Sequence, residues 1–244
     1  SDVYKRQGEM HQGGFYRFNY DITELLNLGK KNQLEVKVAK ESANRSINAA
    51  ERKADWWLFG GIYRPVWLEV LPQVRMEHFV LNADHHGKLQ VAVDMAGDAK
   101  GHEIIVSVRS LKDGKTVYTS NGQTTITHPI NNSDKEQMIS GEWASIIPWS
   151  TENPNLYVAK LELKNPEGKI VQTRETRTGF RTVEFFPQDG VYLNGTKLVV
   201  KGINRHSFSV DGGRTTSAAL SRMDALLIKE MNMNAVRSLS LIHI

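Results

Sequence analysis

From Leu34 to Val171 the apolar residues of this chain recur at every second position in short runs, and beyond Arg181 that spacing gives way to another. Leu34, Val36 and Val38 alternate with Glu35 and Lys37, and Val66, Leu68 and Val70 repeat the pattern after Pro65. Leu89, Val91 and Val93 follow, then Ile104, Val106 and Val108, then Tyr157, Ala159, Leu161 and Leu163. A period of two turns one face of a strand inward and leaves the other in water. Asp113-Gly114 before residues 116–118 is a hairpin signal, and residues 166–169, which include Pro166 and Gly168, turn the chain back toward Ile170 and Val171. Short strands at this spacing predict antiparallel sandwiches. Nearer the start, Gly13-Gly14 precedes an aromatic strand at residues 15–18, and residues 21–26 read as a brief turn or helical turn ending near Gly29.

After Arg181 the texture changes. Residues 191–193 and 198–200 predict a hairpin whose turn is Asn194-Gly195. Residues 198–201 form a compact apolar run of the buried-strand type, and residues 204–213 read as a loop. Leu220, Met223, Leu227 and Met231 then fall at helical spacing, with Thr216 or Ser217 as the candidate cap. Ala235-Val236-Arg237 opens another strand. Strand, loop, helix and strand in that order make a βαβ unit, because parallel strands need a crossover. Boundaries fall near Pro72 and Arg181, dividing the chain into residues 8–72, 73–181 and 182–239.

Composition narrows the function classes. Hydrophobic residues at 40% and charged residues at 24% suffice for a globular core. The net charge of +4 arises from 31 basic and 27 acidic residues, and it is dispersed. Basic clusters such as Lys30-Lys31 and Arg52-Lys53 are only pairs, the second flanked by Glu51 and Asp55. This is solvated surface charge and not a nucleic-acid footprint. With no cysteine there is neither a disulfide framework nor a thiolate zinc site, which leaves cytosol and periplasm both open. No apolar run approaches the roughly 18 residues of a membrane span. Residues 1–7 and 240–244 fit neither flanking pattern; they resemble translated adapter remnants and are set aside.

Four segments carry a family resemblance: residues 55–66, from Asp55-Trp56-Trp57 through Gly60-Gly61 to Arg64-Pro65; residues 149–157, with Trp149, Asn153-Pro154 and Tyr157; Gly179-Phe180-Arg181 onward to Gly202-Ile203-Asn204-Arg205-His206; and Asn234-Ala235-Val236-Arg237. In order and separation they are similar to glycoside hydrolase family 2, β-galactosidase-like, over nearly everything from Gly13 to Arg237. The resemblance implies a mostly β fold: a sugar-binding jelly-roll sandwich at 8–72, an immunoglobulin-like sandwich at 73–181, and at 182–239 the first βαβ unit of a (β/α)₈ TIM barrel. It implies hydrolysis of terminal β-galactosides with retention, through two glutamates about 5–5.5 Å apart. About 60 residues follow Arg181, whereas a barrel needs about 250, so those glutamates are expected beyond this chain, which on that reading is an inactive front part.

The resemblance also names candidate sugar contacts. His206 follows the first barrel strand, at the end where such barrels keep their active sites, and an imidazole can donate to one hydroxyl and accept from another. The alternative is a histidine that holds the loop. Asn204 either touches sugar or shapes the loop through side-chain-to-backbone bonds, and Arg205 either touches sugar or pairs with a carboxylate in the barrel wall. Asp55 matches an aspartate that reaches the active site and helps hold a monovalent cation; the alternative is a surface turn carboxylate. Trp57 either stacks on a sugar face or packs at a domain interface. Arg237 resembles an arginine that supports the catalytic carboxylates. The family further implies Mg2+ and Na+ in the full-length enzyme, β-galactoside oligosaccharides or glycans as ligands, and a homo-oligomer.

Two rivals stay open: a non-catalytic carbohydrate-binding β-sandwich, and a β-glucuronidase or β-mannosidase relative of the same family. The first explains Asp55 and Trp57 but not a helix near 216–233 followed by a strand. One βαβ unit keeps open strand edges and leaves Leu220, Met223 and Leu227 short of neighbours. Limited proteolysis is therefore expected to digest residues 182–239 before 73–181; equal resistance of the two parts would count against this assignment.

Overall fold

The computed structural model describes residues 10–14, 17–52, 60–62, 64–213 and 215–239. Residues 68–199 form one compact unit; the described residues up to 67 and from 200 onward form another.

In the first stretch, a 3-10 turn at Thr23–Leu25 occupies the expected turn. Helix α1, Arg45–Arg52, was not anticipated from the sequence. Asn44 caps it, its Oδ1 accepting from the amides of Ser46 (3.0 Å) and Ile47 (3.3 Å). The described residues from 10 to 72 contain no strand, so the jelly-roll sandwich expected at 8–72 is not seen among them. Leu34, Val36, Val38, Val66, Leu68 and Val70 are all exposed. A period-two pattern specifies a face to bury, but a strand also needs a neighbour to complete its ladder. Among the described residues neither segment has one.

The sandwich unit follows the alternation closely. Its strands are β1 (Arg75–Ala83), β2 (Lys88–Ala96), β3 (Glu103–Ser110), β4 (Thr116–Val117), β5 (Thr125–Pro129), β6 (Glu136–Glu142), β7 (Tyr157–Lys164) and β8 (Ile170–Thr178). One antiparallel sheet runs β1-β2-β6, the other β4-β3-β7-β8 with β5 also on β3. Val91 sits opposite Leu81 and Ile139, and Val106 opposite Leu161. The inward residues of β2, β3 and β7 form one buried core with Met76, Trp143 and Phe180. Strands β1, β5 and β6 were not anticipated. In β1 a register shift between Met76 and His78 breaks the period, and β6 carries only Met138 and Ile139 as large apolar residues. The amide side chain of Gln172 on β8 accepts from Met76 N (2.6 Å) and donates to Met76 O (3.2 Å), standing in for a ladder partner where β1 is irregular.

Two of the quoted sequence segments meet at the end of this core. Trp149 N donates to Phe180 O (2.9 Å), and Arg181 N to Ala83 O (2.9 Å). The Arg181 guanidinium lies 4.6 Å over the Trp149 ring, and Tyr157 packs edge-on to Phe180. A Cβ on Gly179 would lie 2.9 Å from the Trp149 side chain, so only glycine lets the indole close over this turn.

Strands β9 (Val183–Phe186), β10 (Gly190–Leu193) and β11 (Thr196–Leu198) form a third small sheet. The Asn194-Gly195 turn has positive φ at both positions (52° and 77°), the geometry a two-residue hairpin requires. Asn194 fixes this sheet to the sandwich: its Oδ1 accepts from Thr182 N (3.0 Å) and its Nδ2 donates to Trp149 O (3.0 Å). Residues 183–198 therefore share the sandwich's compact unit, past the change of texture at Arg181.

Leu161, fully buried at the centre of β7, tests the core. Leu161→Ala is expected to cost about 2–5 kcal/mol through the cavity it leaves, read as a lower denaturation midpoint of the sandwich unit.

Candidate functional site

The expected βαβ unit is present: β12 (Gly202–His206), α2 (Ala218–Glu230) and β13 (Ala235–Leu239), with β12 and β13 parallel. The strand starts later than the apolar run at 198–201 suggested. Val199 and Val200 are exposed and outside any strand, and the Asn-Arg-His motif itself forms the strand. The cause is local pairing. Lys201 N donates to Asn234 Oδ1 (2.8 Å), while Asn234 N donates to Lys201 O (2.9 Å). This reciprocal clasp opens the ladder, after which Gly202 pairs with Ala235, Asn204 with Arg237 and His206 with Leu239.

Helix α2 begins at Ser217, one of the two expected caps, whose Oγ accepts from Leu220 N (3.1 Å). Its most buried positions are Leu220, Asp224 and Ile228, four residues apart, while Met223, Leu227 and Met231 are exposed. The contact face is thus rotated from the purely apolar stripe at 220, 223, 227 and 231. Between His206 and α2, Ser209 and Gly213 exchange backbone hydrogen bonds (2.8 and 2.9 Å), folding the loop back on itself.

Strand alternation divides the motif between two faces. Arg205 points to the side where α2 lies. Its Nε donates to Asp224 Oδ2 (2.7 Å), its Nη2 donates to the same oxygen, and its Nη1 donates to Ser207 Oγ (3.0 Å). Both partners of this ion pair are largely shielded from water, with side chains 19% and 30% exposed. Asn204 and His206 lie on the opposite, open face and are exposed, joined there by Arg237, the register partner of Asn204.

Asn204 therefore sits within a strand and does not shape a loop, His206 is the last residue of the strand and not the first of the loop, and Arg237 is at mid-strand. Asp55 and Trp57 lie outside the described residues. Among the described residues no three His, Cys, Asp or Glu side chains come together to hold a metal ion. Sequence reading missed Asp224 and Ser207. The available signal was a lone carboxylate four residues from both Leu220 and Ile228, on the helix stripe that must face the sheet. A separate cleft of about 330 Å³ in the sandwich unit, lined in part by Asn82, Leu156, Arg177 and Arg181, holds none of these residues.

The family model for glycosyl hydrolases family 2 matches residues 74–181, and the model for the TIM barrel domain of that family matches residues 187–240. Together they take in more than half of the chain. The chain belongs to glycosyl hydrolases family 2. A β-galactosidase of Priestia megaterium is 31% identical over 242 residues, covering 93% of this chain and 22% of that protein. A β-galactosidase of Kluyveromyces lactis is 31% identical over 239 residues, covering 90% and 22%. The crystal structure of Parabacteroides merdae β-glucuronidase superposes with a TM-score of 0.60 at 26% identity, over 76% of this chain and 23% of that one. This family 2 chain spans 20% to 30% of the length of the relatives it matches.

The cap offers a local test of the βαβ unit. Ser217→Ala is expected to remove about 1 kcal/mol from α2, measured as faster amide exchange in residues 218–230 with the sandwich strands unaffected.

Proposed function

We propose that this chain supplies part of the sugar-binding wall of a retaining, exo-acting β-glycosidase, with terminal β-galactosides as its substrate. The observation that carries this reading is the shared open face of Asn204, His206 and Arg237 on a parallel strand pair, with His206 at the C-terminal strand end. Barrels of this kind keep their active sites at that rim. An amide, an imidazole and a guanidinium together offer donors and acceptors to neighbouring sugar hydroxyls. In this layout residues 73–181 are an immunoglobulin-like sandwich, residues 182–239 open the barrel, and residues 8–72 belong to a sugar-binding domain. The ligands are β-galactoside oligosaccharides or glycans.

A second reading, terminal β-glucuronides, has its own support. Arg237 lies beside Asn204 on the open face, and a guanidinium is suited to the planar carboxylate of a uronic acid. The Asn-Arg-His motif is the ground for galactosides, whereas the relatives and structural neighbours include proteins named β-galactosidase and β-glucuronidase. The two substrates differ in the configuration at C4 and in the group on C5, hydroxymethyl against carboxylate, and Arg237 is the residue expected to sense the carboxylate.

Retaining hydrolysis requires two carboxyl groups about 5–5.5 Å apart. The open face of β12 and β13 presents Gly202, Asn204, His206, Ala235 and Arg237, none of which is a carboxylate. The 244-residue chain is therefore expected to give no turnover of p-nitrophenyl β-galactoside or β-glucuronide. It is expected to bind methyl β-galactoside or glucuronate weakly, on the order of millimolar, with a shift of the His206 ring signals in NMR. His206→Ala should abolish that binding. Turnover above a buffer blank would overturn the argument from missing carboxylates. Sugar binding undiminished by His206→Ala would overturn the site.

A further inference from the structure

We propose that Asp224 is a positioning residue for His206, acting through Arg205 and Ser207. The inference rests on the reading above that the open face of β12 meets sugar. Arg205 and Ser207 are the two sequence neighbours of His206, and one guanidinium ties them together. Its Nη1 donates to Ser207 Oγ at 3.0 Å, while Nε and Nη2 both converge on Asp224 Oδ2. The carboxylate sits on α2, on the same stripe as half-buried Leu220 and buried Ile228. Drawing residues 205 and 207 to the helix side commits residue 206 to the other side, because successive side chains leave a strand in opposite directions.

The residue types suit the task. A guanidinium is a planar fork whose donors keep fixed angles, so satisfying three of them at once fixes its plane and, through it, the backbone on either side of His206. Charge-assisted bonds to a carboxylate are the stronger kind, and partial burial protects this pair from water and salt. His206 is the last residue of β12, and the loop begins at Ser207. Without Asp224 the cation would be half-buried and uncompensated; it would turn toward water and release Ser207 with it. The strand end would then lose the constraint that the guanidinium places on the backbone on either side of His206.

The test uses the 244-residue chain without ligand. His206 ring signals are assigned by their loss in His206→Ala and followed by ¹H–¹³C NMR. In the wild type they are expected as one sharp set. In Asp224→Asn, which keeps the size and removes the charge, they should double or broaden by about twofold as the ring samples more than one orientation. Asp224→Glu should restore the single set, and Met223→Ala, on the exposed side of the same helix, should leave it unchanged. If Asp224→Asn loosens α2 in amide exchange while the His206 signals stay single and sharp, the pair merely anchors the helix and the proposal is overturned. If Asp224→Asn does not fold, Ser207→Ala serves instead. It removes only the Nη1 bond and should produce the same doubling; unchanged signals there overturn the proposal equally. Methyl β-galactoside and glucuronate are then added. Sugars that leave His206 unmoved, in a protein where Asp224→Asn still frees the ring, sink the sugar-site reading and leave the positioning role standing.

Discussion

The reciprocal clasp between Lys201 and Asn234 sets the register on which the candidate site depends. In a parallel pair a slip of one residue sends every side chain to the opposite face. Asn204, His206 and Arg237 share the open side only because Gly202 meets Ala235. Gly202 also permits the approach, since a Cβ there would lie 3.3 Å from Ala235 Cβ. The asparagine side chain acts before the first backbone pair of the ladder, so the register is specified by a side chain and not left to the weak apolar content of β12. That strand has one apolar residue, Ile203, and a polar strand is the kind most prone to slippage.

The sandwich unit obtains its order differently. Its strands β2, β3 and β7 bury every second side chain, and a slip in any of them would expose a row of valines and leucines. The cost of that exposure, about 25 cal/mol per Å² of apolar surface, makes the pattern self-enforcing. At the end of this core, Trp149, Gly179, Phe180 and Arg181 close over it, and Asn194 ties the next hairpin to the same corner. Two segments that carry the family resemblance thus act in packing the sandwich unit, whereas the Asn-Arg-His segment divides its residues between packing and an open face.

Legibility followed the same division. Strands β2, β3, β7 and β8, the Asn194-Gly195 turn, the Ser217 cap and the βαβ order were readable because each rests on a local signal: a strict period, a turn dipeptide or a capping hydroxyl. Strand β1 was hidden by its bulge, and the start of β12 was misplaced because Val199 and Val200 look like a buried strand while the polar motif does not. Segments 34–38 and 66–70 carry a clear alternation without a ladder among the described residues, since periodicity names a face and not a partner. Asn204, Arg205 and His206 were found as a group by resemblance, but their division between two faces required the strand itself. Asp224 was invisible because a carboxylate inside an amphipathic helix reads as surface charge until its partner on a neighbouring strand is known.

This division of faces has a chemical consequence. A sugar-binding wall needs neutral and cationic donors that can hold hydroxyls without competing with the carboxylates that cleave the bond. A carboxylate placed beside them at random would pair with Arg237 or His206 and perturb both. On this unit the nearby carboxylate, Asp224, is held on the far side of the strand and its charge is compensated by Arg205. The open face is left with an amide, an imidazole and a guanidinium. The sheet thereby separates two uses of charge on its two faces: a compensated pair on the helix side, and polar groups on the open side. The geometry requires the alternation of β12 and the i, i+4 stripe of α2 to face each other, and either element alone would leave Arg205 without its fixed counter-ion.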